Sequence, residues 1–377
     1  MAKTFKIDNY FNPVDILKIK PKQYQDKKLT IKNKIEIYKG QKKFKKLDYF
    51  DILFFSLNNS SSTQVRKELY SLSSFVNNIK LADLGYLKTG KTKKDKVAAL
   101  REIIIELSEY NKTIIILGEE KYLSYSVYDA YEFKEKDISI TEISPTIKFK
   151  NTTEDITEED FLNKIILNKK HRLFHFTNIA YQSHYTNESI IDLLNKQSWE
   201  AHRLTKIKNQ VNTTEYLLRN SEFISIDLSA IRHIDAKDVI NSVPNGLSAY
   251  EICKLSYYAG ISDDSKILGL WNIIPNLKDE TITTKLTAQI IWYYLSGYSN
   301  RFNDFPDEIN NRYKKITVPI ENTDMSIVFY NNRANNRWWF EVPLNDEDYI
   351  VPCSEDEYIM TLKGDVPTRW IKFYNKA

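Results

Sequence analysis

Seven short apolar runs rich in β-branched residues recur between residues 51 and 271, and helix-period stretches separate most of them. The runs are DILFFSL (51–57), IKLADL (79–84), TIIILG (113–118), DISITEI (137–143), RLFHF (172–176), EFISIDL (222–228) and KILGLW (266–271). Each has the length of a strand, and near-continuous apolarity marks a strand covered on both faces. In TQVRKELYSLSSFV, KDKVAALREIIIELSEY, TEEDFLNKIIL, SAYEICKLSYYAG and TTKLTAQIIWYYLSGY, apolar residues return every three or four positions, the period of an amphipathic helix. This alternation predicts an α/β fold with a mainly parallel sheet between two helical layers, a three-layer α/β/α arrangement. SLNNSSST (56–63) reads as a loop at a strand end.

After Gly297 the texture changes. ITVPIE, SIVFYN and RWWFEVP predict short antiparallel strands, followed by a helix-like segment near SEDEYIMTL. Three regions follow: a basic N-terminal arm (1–47), an α/β domain (48–299) and an aromatic-rich C-terminal antiparallel β appendage packed on the core (300–377). The chain has 25 tyrosines, with RWW at 337–339 and RW at 369–370. Such residues pack an added β-layer against its domain, or else anchor a partner.

Charge is unevenly placed. Residues 1–46 hold fourteen lysines and four acids, a balance of +10 in a chain whose total is +4, so the remainder is −6. The segment reads as a solvated lysine-rich surface, with an acidic partner, nucleic acid or a membrane surface as the functional alternative. The two cysteines, Cys253 and Cys353, lie far apart, which supports neither a disulfide framework nor a cysteine metal knuckle and points to a reducing compartment. The longest apolar runs are too short to span a bilayer, so a cytoplasmic protein is expected.

GYLKTGKT, Gly85 to Thr92, matches the phosphate-binding pattern G-x-x-x-x-G-K-[ST] and lies between an expected strand and an expected helix. In a functional loop Gly85 and Gly90 would let the backbone cradle phosphates, Lys91 would reach the outer phosphates, and Thr92 would hold magnesium. The neighbourhood KTGKTKKDK makes a suitably placed lysine cheap, so a lysine-rich loop competes with this reading.

Open α/β sheets place ligands at the carboxyl ends of their strands. There, LGEEKYLSYSVYDAY, SIDLSAIRHIDA, SVPNGLSAYEICKLSYYAGIS and LGLWNIIPNLKDETITTKLTAQIIWYYLSGY occur in an order that resembles the arginase, agmatinase and formimidoylglutamase family, the ureohydrolases. The resemblance covers roughly residues 48–298 and is nearest to a divergent formimidoylglutamase-like branch of the Bacteroidetes, whose C-terminal region NNRWWFEVP, VPCSEDEY and VPTRW also resemble. It implies an arginase-like fold and two manganese ions about 4 Å apart that activate a hydroxide.

Carried over residue by residue, the resemblance implies a degenerate metal site. The family's G-G-D-H-S falls on Gly118, Glu119, Glu120, Lys121 and Tyr122, so its metal-binding histidine is Lys121. The family's D-A-H-x-D falls on Glu142, Ile143, Ser144, Pro145 and Thr146, keeping only the first carboxylate. Its S-x-D-x-D falls on Ser225 to Ser229, retaining Asp227 and replacing the second aspartate by Ser229. The glutamate of its E-x-x-P falls on Asn272, three residues before Pro275. Two carboxylates of six expected ligands remain, too few to hold two hard dications. An ammonium at position 121 would repel a dication and pair with Asp227 or Glu142, replacing the metal electrostatically without activating water.

The histidines, His171, His175, His184, His202 and His233, fall at none of the family's ligand positions and are expected to be surface or hydrogen-bonded residues. His233 and Asp235 read as a polar loop, or as residues entering the mouth of the old site. Cys253, within an apolar helical stretch, reads as a packed thiol. The leading expectation is a ureohydrolase-fold pseudoenzyme that needs no cofactor and acts as a binding or scaffolding protein for an unknown partner, with oligomers possible. The enzyme alternative is a formimidoylglutamase- or arginase-like hydrolase of linear amidines with a rebuilt manganese site. The third is a nucleotide-binding protein using Gly85 to Thr92.

Overall fold

The computed structural model describes residues 5–20, 22, 26–57, 60–74, 79–149, 161–167, 172–274, 280–306, 312–320, 323, 325–344 and 347–376. Ten strands form one sheet: β1 (Phe11–Asn12), β2 (Ile35–Ile37), β3 (Ile52–Ser56), β4 (Leu81–Leu87), β5 (Thr113–Leu117), β6 (Ile138–Ile143), β7 (Leu173–Tyr181), β8 (Glu200–Arg203), β9 (Phe223–Asp227) and β10 (Ile267–Trp271). Their order is β1-β4-β3-β5-β10-β9-β6-β7-β8, with β2 also beside β4. Among the described residues of this sheet, only β1 runs antiparallel to its neighbour; the other pairings are parallel.

Every residue of β3 and of β5 is buried. Successive side chains of a strand point to opposite faces. Thus Ile52 and Phe54 enter one apolar core, and Leu53 and Phe55 enter the other. The first core is roofed by the helices Ser60–Ser71, Ala249–Ile261 and Ile282–Ser299, the second by Lys93–Ser108 and Tyr125–Phe133. The three-layer α/β/α arrangement expected from the alternation is therefore present. Helix starts are fixed locally by reciprocal capping boxes: Thr92 with Asp95, Ser248 with Glu251 and Thr281 with Thr284.

Three departures from the sequence expectation have physical causes. SLNNSSST is not wholly loop, because the helix starts at Ser60; Ser61 Oγ donates to the Ile274 carbonyl (2.6 Å), and Ser56 and Ser62 Oγ lie 3.1 Å apart. Within the lysine-rich segment, β1 and β2 cover the outer edge of β4, where backbone pairing needs no apolar run. The short β8 carries charged and polar residues, EAHR, that no strand pattern reveals.

Four further strands, β11 (Tyr313–Pro319), β12 (Ser326–Asn332), β13 (Arg337–Leu344) and β14 (Glu347–Cys353), form an antiparallel sheet in that order. With the helices Glu355–Leu362 and Thr368–Tyr374 they enclose a third core that includes Trp338, Phe340 and Trp370. Phe174 of β7 packs against this core, and its ring centroid lies 5.1 Å from that of Tyr349.

Candidate functional site: a lysine among strand-end carboxylates

Four adjacent strands, β5, β10, β9 and β6, end side by side, and each delivers one element of a buried polar cluster. After β5 the chain enters the turn Lys121–Ser124, which aims Lys121 across the two intervening strands. Glu142 lies in β6 and Ser144 just beyond it. Asp227 ends β9 and caps the following turn, Leu228–Ala230, by accepting the Ser229 N–H. Asn272 follows β10 with φ +70°, a left-handed conformation that asparagine tolerates better than most residues.

Lys121 Nζ stands 3.0 Å from Glu142 Oε1 and 3.6 Å from Asp227 Oδ2, and it donates to Ser144 Oγ at 2.9 Å. Ser144 Oγ is in turn 2.9 Å from the Thr146 carbonyl and 3.3 Å from Asp227 Oδ2. Asp227 Oδ1 accepts the Ser229 N–H (2.9 Å), the Ser229 hydroxyl (2.6 Å) and Asn272 Nδ2 (3.0 Å). Asn272 Oδ1 receives the Lys121 N–H at 3.3 Å. Lys121, Glu142, Ser144, Asp227, Ser229 and Asn272 thus belong to one network, which Thr146 joins through its backbone.

The network is closed to solvent. Lys121 is 7% exposed and Asn272 1%. Segment 231–247 lies over the strand ends: Val239 bridges to Ile273, and the Ile240 N–H donates to the Asn272 carbonyl at 2.8 Å. Gly118 lets the Trp271 indole fill the space between β5 and β10, since a Cβ there would come within 2.6 Å of the ring. Burial pushes the Glu142 carboxyl above its ordinary value, an effect that Lys121 opposes and Asp227 reinforces.

The architecture matches known structures. The formimidoylglutamase of Bacillus subtilis superposes with a TM-score of 0.63 at 16% identity, covering 74% of this chain and 96% of that one. A manganese-containing formiminoglutamase from Trypanosoma cruzi gives 0.61 at 15% identity, covering 68% and 96%. The agmatine ureohydrolase of Thermoplasma volcanium gives 0.54 at 15%, covering 67% and 91%. The chain has the ureohydrolase fold. No protein-family model and no curated protein sequence matches it.

Within this ureohydrolase fold, the donor set at the strand ends does not fit a binuclear metal centre. Hard dications need converging carboxylates and imidazoles. Here an ammonium lies between the two carboxylates, and one Asp227 oxygen already accepts three hydrogen bonds. Among the described residues, no group of three or more His, Cys, Asp or Glu side chains is arranged to hold a metal ion.

The other sequence candidates lie elsewhere. Of the phosphate-loop reading's residues, Gly85, Gly90, Lys91 and Thr92, three have other roles in the structure. Gly85 is inside β4 at φ +93°, with its N–H donated to Asp83 Oδ1 (2.9 Å) and the Asn12 carbonyl where a Cβ would otherwise sit. Thr92 is the helix cap, and the Asp95 carboxylate lies against Gly90 and accepts the Thr92 N–H, so an anion already occupies the helix start. Lys91 is exposed.

Of the histidines, His171 is outside the described residues. His184 is exposed beside the Tyr185 ring, and His233 is exposed with Nδ1 3.0 Å from Ser242 Oγ. Asp235 receives Arg232 Nε (2.7 Å) and the Ala249 N–H (2.9 Å), so it serves the loop. Cys253 is buried and unpaired, and burial pushes its thiol up to about 12. Pro275 lies outside the described residues.

A second buried charged cluster escaped the sequence reading. Glu200 of β8 is paired with Arg369 Nη1 and lies 3.0 Å from His175 Nε2 and 3.5 Å from His202 Nε2. Arg369 Nε also donates to the Pro352 carbonyl at 3.1 Å. These bonds tie the last helix to both sheets. Glu200 and Arg369 lie 169 positions apart, beyond any local signal.

Proposed function

We propose that this chain is a divergent member of the arginase, agmatinase and formimidoylglutamase family in which the metal site has been replaced by an ion-paired lysine. In this reading the protein does not hydrolyse amidines and acts as a binding or scaffolding component. The observation that carries it is the Lys121 ammonium within 3.0 Å of Glu142 and 3.6 Å of Asp227, at the positions the resemblance assigns to metal ligands. A fixed cation supplies the charge that the surviving carboxylates need, but it carries no water with a lowered pKa.

Residues 48–299 would be the ureohydrolase-like domain, 300–377 the appendage that locks its edge, and 1–47 a basic segment available to an acidic partner. Two buried, unpaired cysteines suit a reducing compartment such as the cytoplasm. No helix among the described residues is long and apolar enough to cross a membrane.

Metal analysis of the purified protein, after growth with manganese and extensive dialysis, tests the reading. Substoichiometric manganese and no release of urea or formamide from arginine, agmatine or formimidoylglutamate are expected. Two tightly held equivalents with turnover would overturn it and favour the enzyme alternative.

A further inference from the structure

At the N-terminal edge of the ten-stranded sheet, opposite the Lys121 cluster, a cavity of about 300 Å³ lies by the C-terminal ends of the helices Lys93–Ser108 and Tyr125–Phe133. The strands between the two places are five or six residues long, so roughly 17 Å separates them. The cavity is independent of the metal-site question.

Its chemistry is two-sided. Ile104, Ile114, Ala130 and Ile267 form an aliphatic floor, with the Tyr131 ring beside them. Lys112, Lys134, Lys136 and Lys266 line the rest, with Asp137 and Glu222 as the acids.

Several of these charges are already engaged. Lys112 donates to the Asp48 carbonyl at 2.9 Å, Lys134 is held by Glu109 and Ser108, and Asp137 lies 3.4 Å from Arg172 Nη1. Among the described residues, no carboxylate oxygen lies within 4.0 Å of the ammonium of Lys136 or Lys266. The third remaining group is Glu222, which accepts the Ser139 N–H at 2.7 Å. Burial raises its carboxyl to about 7, so near neutral pH it is only about half ionised. Among the groups that line the cavity, two ammonium groups therefore face one partly protonated carboxyl at the rim of an apolar floor, with Glu109 acting on Lys136 and Asp264 on Lys266 from beside it.

We propose that this cavity binds a small organic anion with an apolar body, its acidic group held by Lys136 and Lys266 and its body lying on the isoleucine floor beside Tyr131. An apolar pocket with a few convergent polar groups is the usual form of a small-molecule site.

Calorimetric titration of the full chain with anilinonaphthalene sulfonate, an anion with an aromatic body, tests the proposal. One saturable site is expected. The double variant Lys136→Glu/Lys266→Glu should weaken it by roughly tenfold or more, the loss of one or two charge-assisted contacts. Ile105→Trp, which fills the cavity from its half-buried wall, should abolish binding. The charge variant changes only rim residues, so it remains informative if Ile105→Trp fails to fold. Absence of saturable binding would overturn the proposal, as would binding that the charge variant leaves unchanged. Equal affinity for uncharged phenylnaphthylamine would overturn the anion assignment.

Discussion

Lys121 reaches across the ends of two strands to lie 3.0 Å from Glu142, and both side chains are buried. Removing one partner of such a pair leaves a desolvated charge, which is costlier than never having had the pair. Lys121→Ala should therefore destabilise the protein by about 3 to 5 kcal/mol in urea unfolding. Adding Glu142→Gln should recover part of that loss. A loss below about 1 kcal/mol would mean that the ammonium is not needed to neutralise the cluster.

Placing one imidazole among these carboxylates should not create a metal centre. Lys121→His would place an imidazole beside Glu142 and Asp227, yet Ser144, Ser229 and Asn272 are poor ligands for manganese. Stable binuclear loading is not expected. Two manganese equivalents surviving dialysis in this variant would show that the remaining residues suffice.

Arg369 is the corresponding anchor between the two sheets. Arg369→Ala leaves Glu200 buried without its guanidinium and should cost about 3 to 5 kcal/mol. Limited proteolysis should then cut first within residues 300–377, since these bonds tie the last helix to β8. A cleavage pattern like that of the wild type would argue against the anchor.

The same cluster predicts an acid response. Burial holds His175 down at about 3, against an ordinary 6.5. Below about pH 6.5 the unfolded chain takes up a proton that folded His175 refuses until about pH 3, so its contribution is full above 6.5 and falls on acidification by up to about 1.4 kcal/mol per pH unit. Glu222 acts oppositely: raised from 4.5 to about 7, it keeps its proton in the folded state between about pH 7 and 4.5, so acidification over that range stabilises through it. The diagnostic quantity is therefore the difference between variants. His175→Gln, which keeps a donor for Glu200 but does not titrate, should lose stability more slowly than the wild type between about pH 6.5 and 4.5. Parallel curves would refute the assignment.

Thr92 caps its helix rather than a magnesium ion. Thr92→Ala should cost about 1 kcal/mol of stability, and adenosine triphosphate should show no saturable binding to either protein. Binding that Lys91→Ala abolishes would revive the phosphate loop.

The main strands were legible because each is an apolar run of the right length, and the principal helices because their apolar residues repeat at the helical period. β1, β2 and β8 were not, since edge strands are defined by backbone pairing that leaves little trace in side-chain type. GYLKTGKT was ambiguous because a motif records residue types but not backbone geometry. Gly85 serves a strand and Thr92 a cap, two roles that the same letters satisfy.

Local patterning therefore set the layers, the parallel sheet and the strand ends where Lys121, Glu142, Asp227 and Asn272 would gather. What those residues do to one another depended on folding. Their hydrogen bonds join segments as far as 151 positions apart, and their charge balance depends on burial that no short stretch encodes. The cavity beneath Tyr131 and the Glu200–Arg369 anchor are likewise products of packing. Each exists only where separate helices and strands close around side chains that are unremarkable in the linear chain.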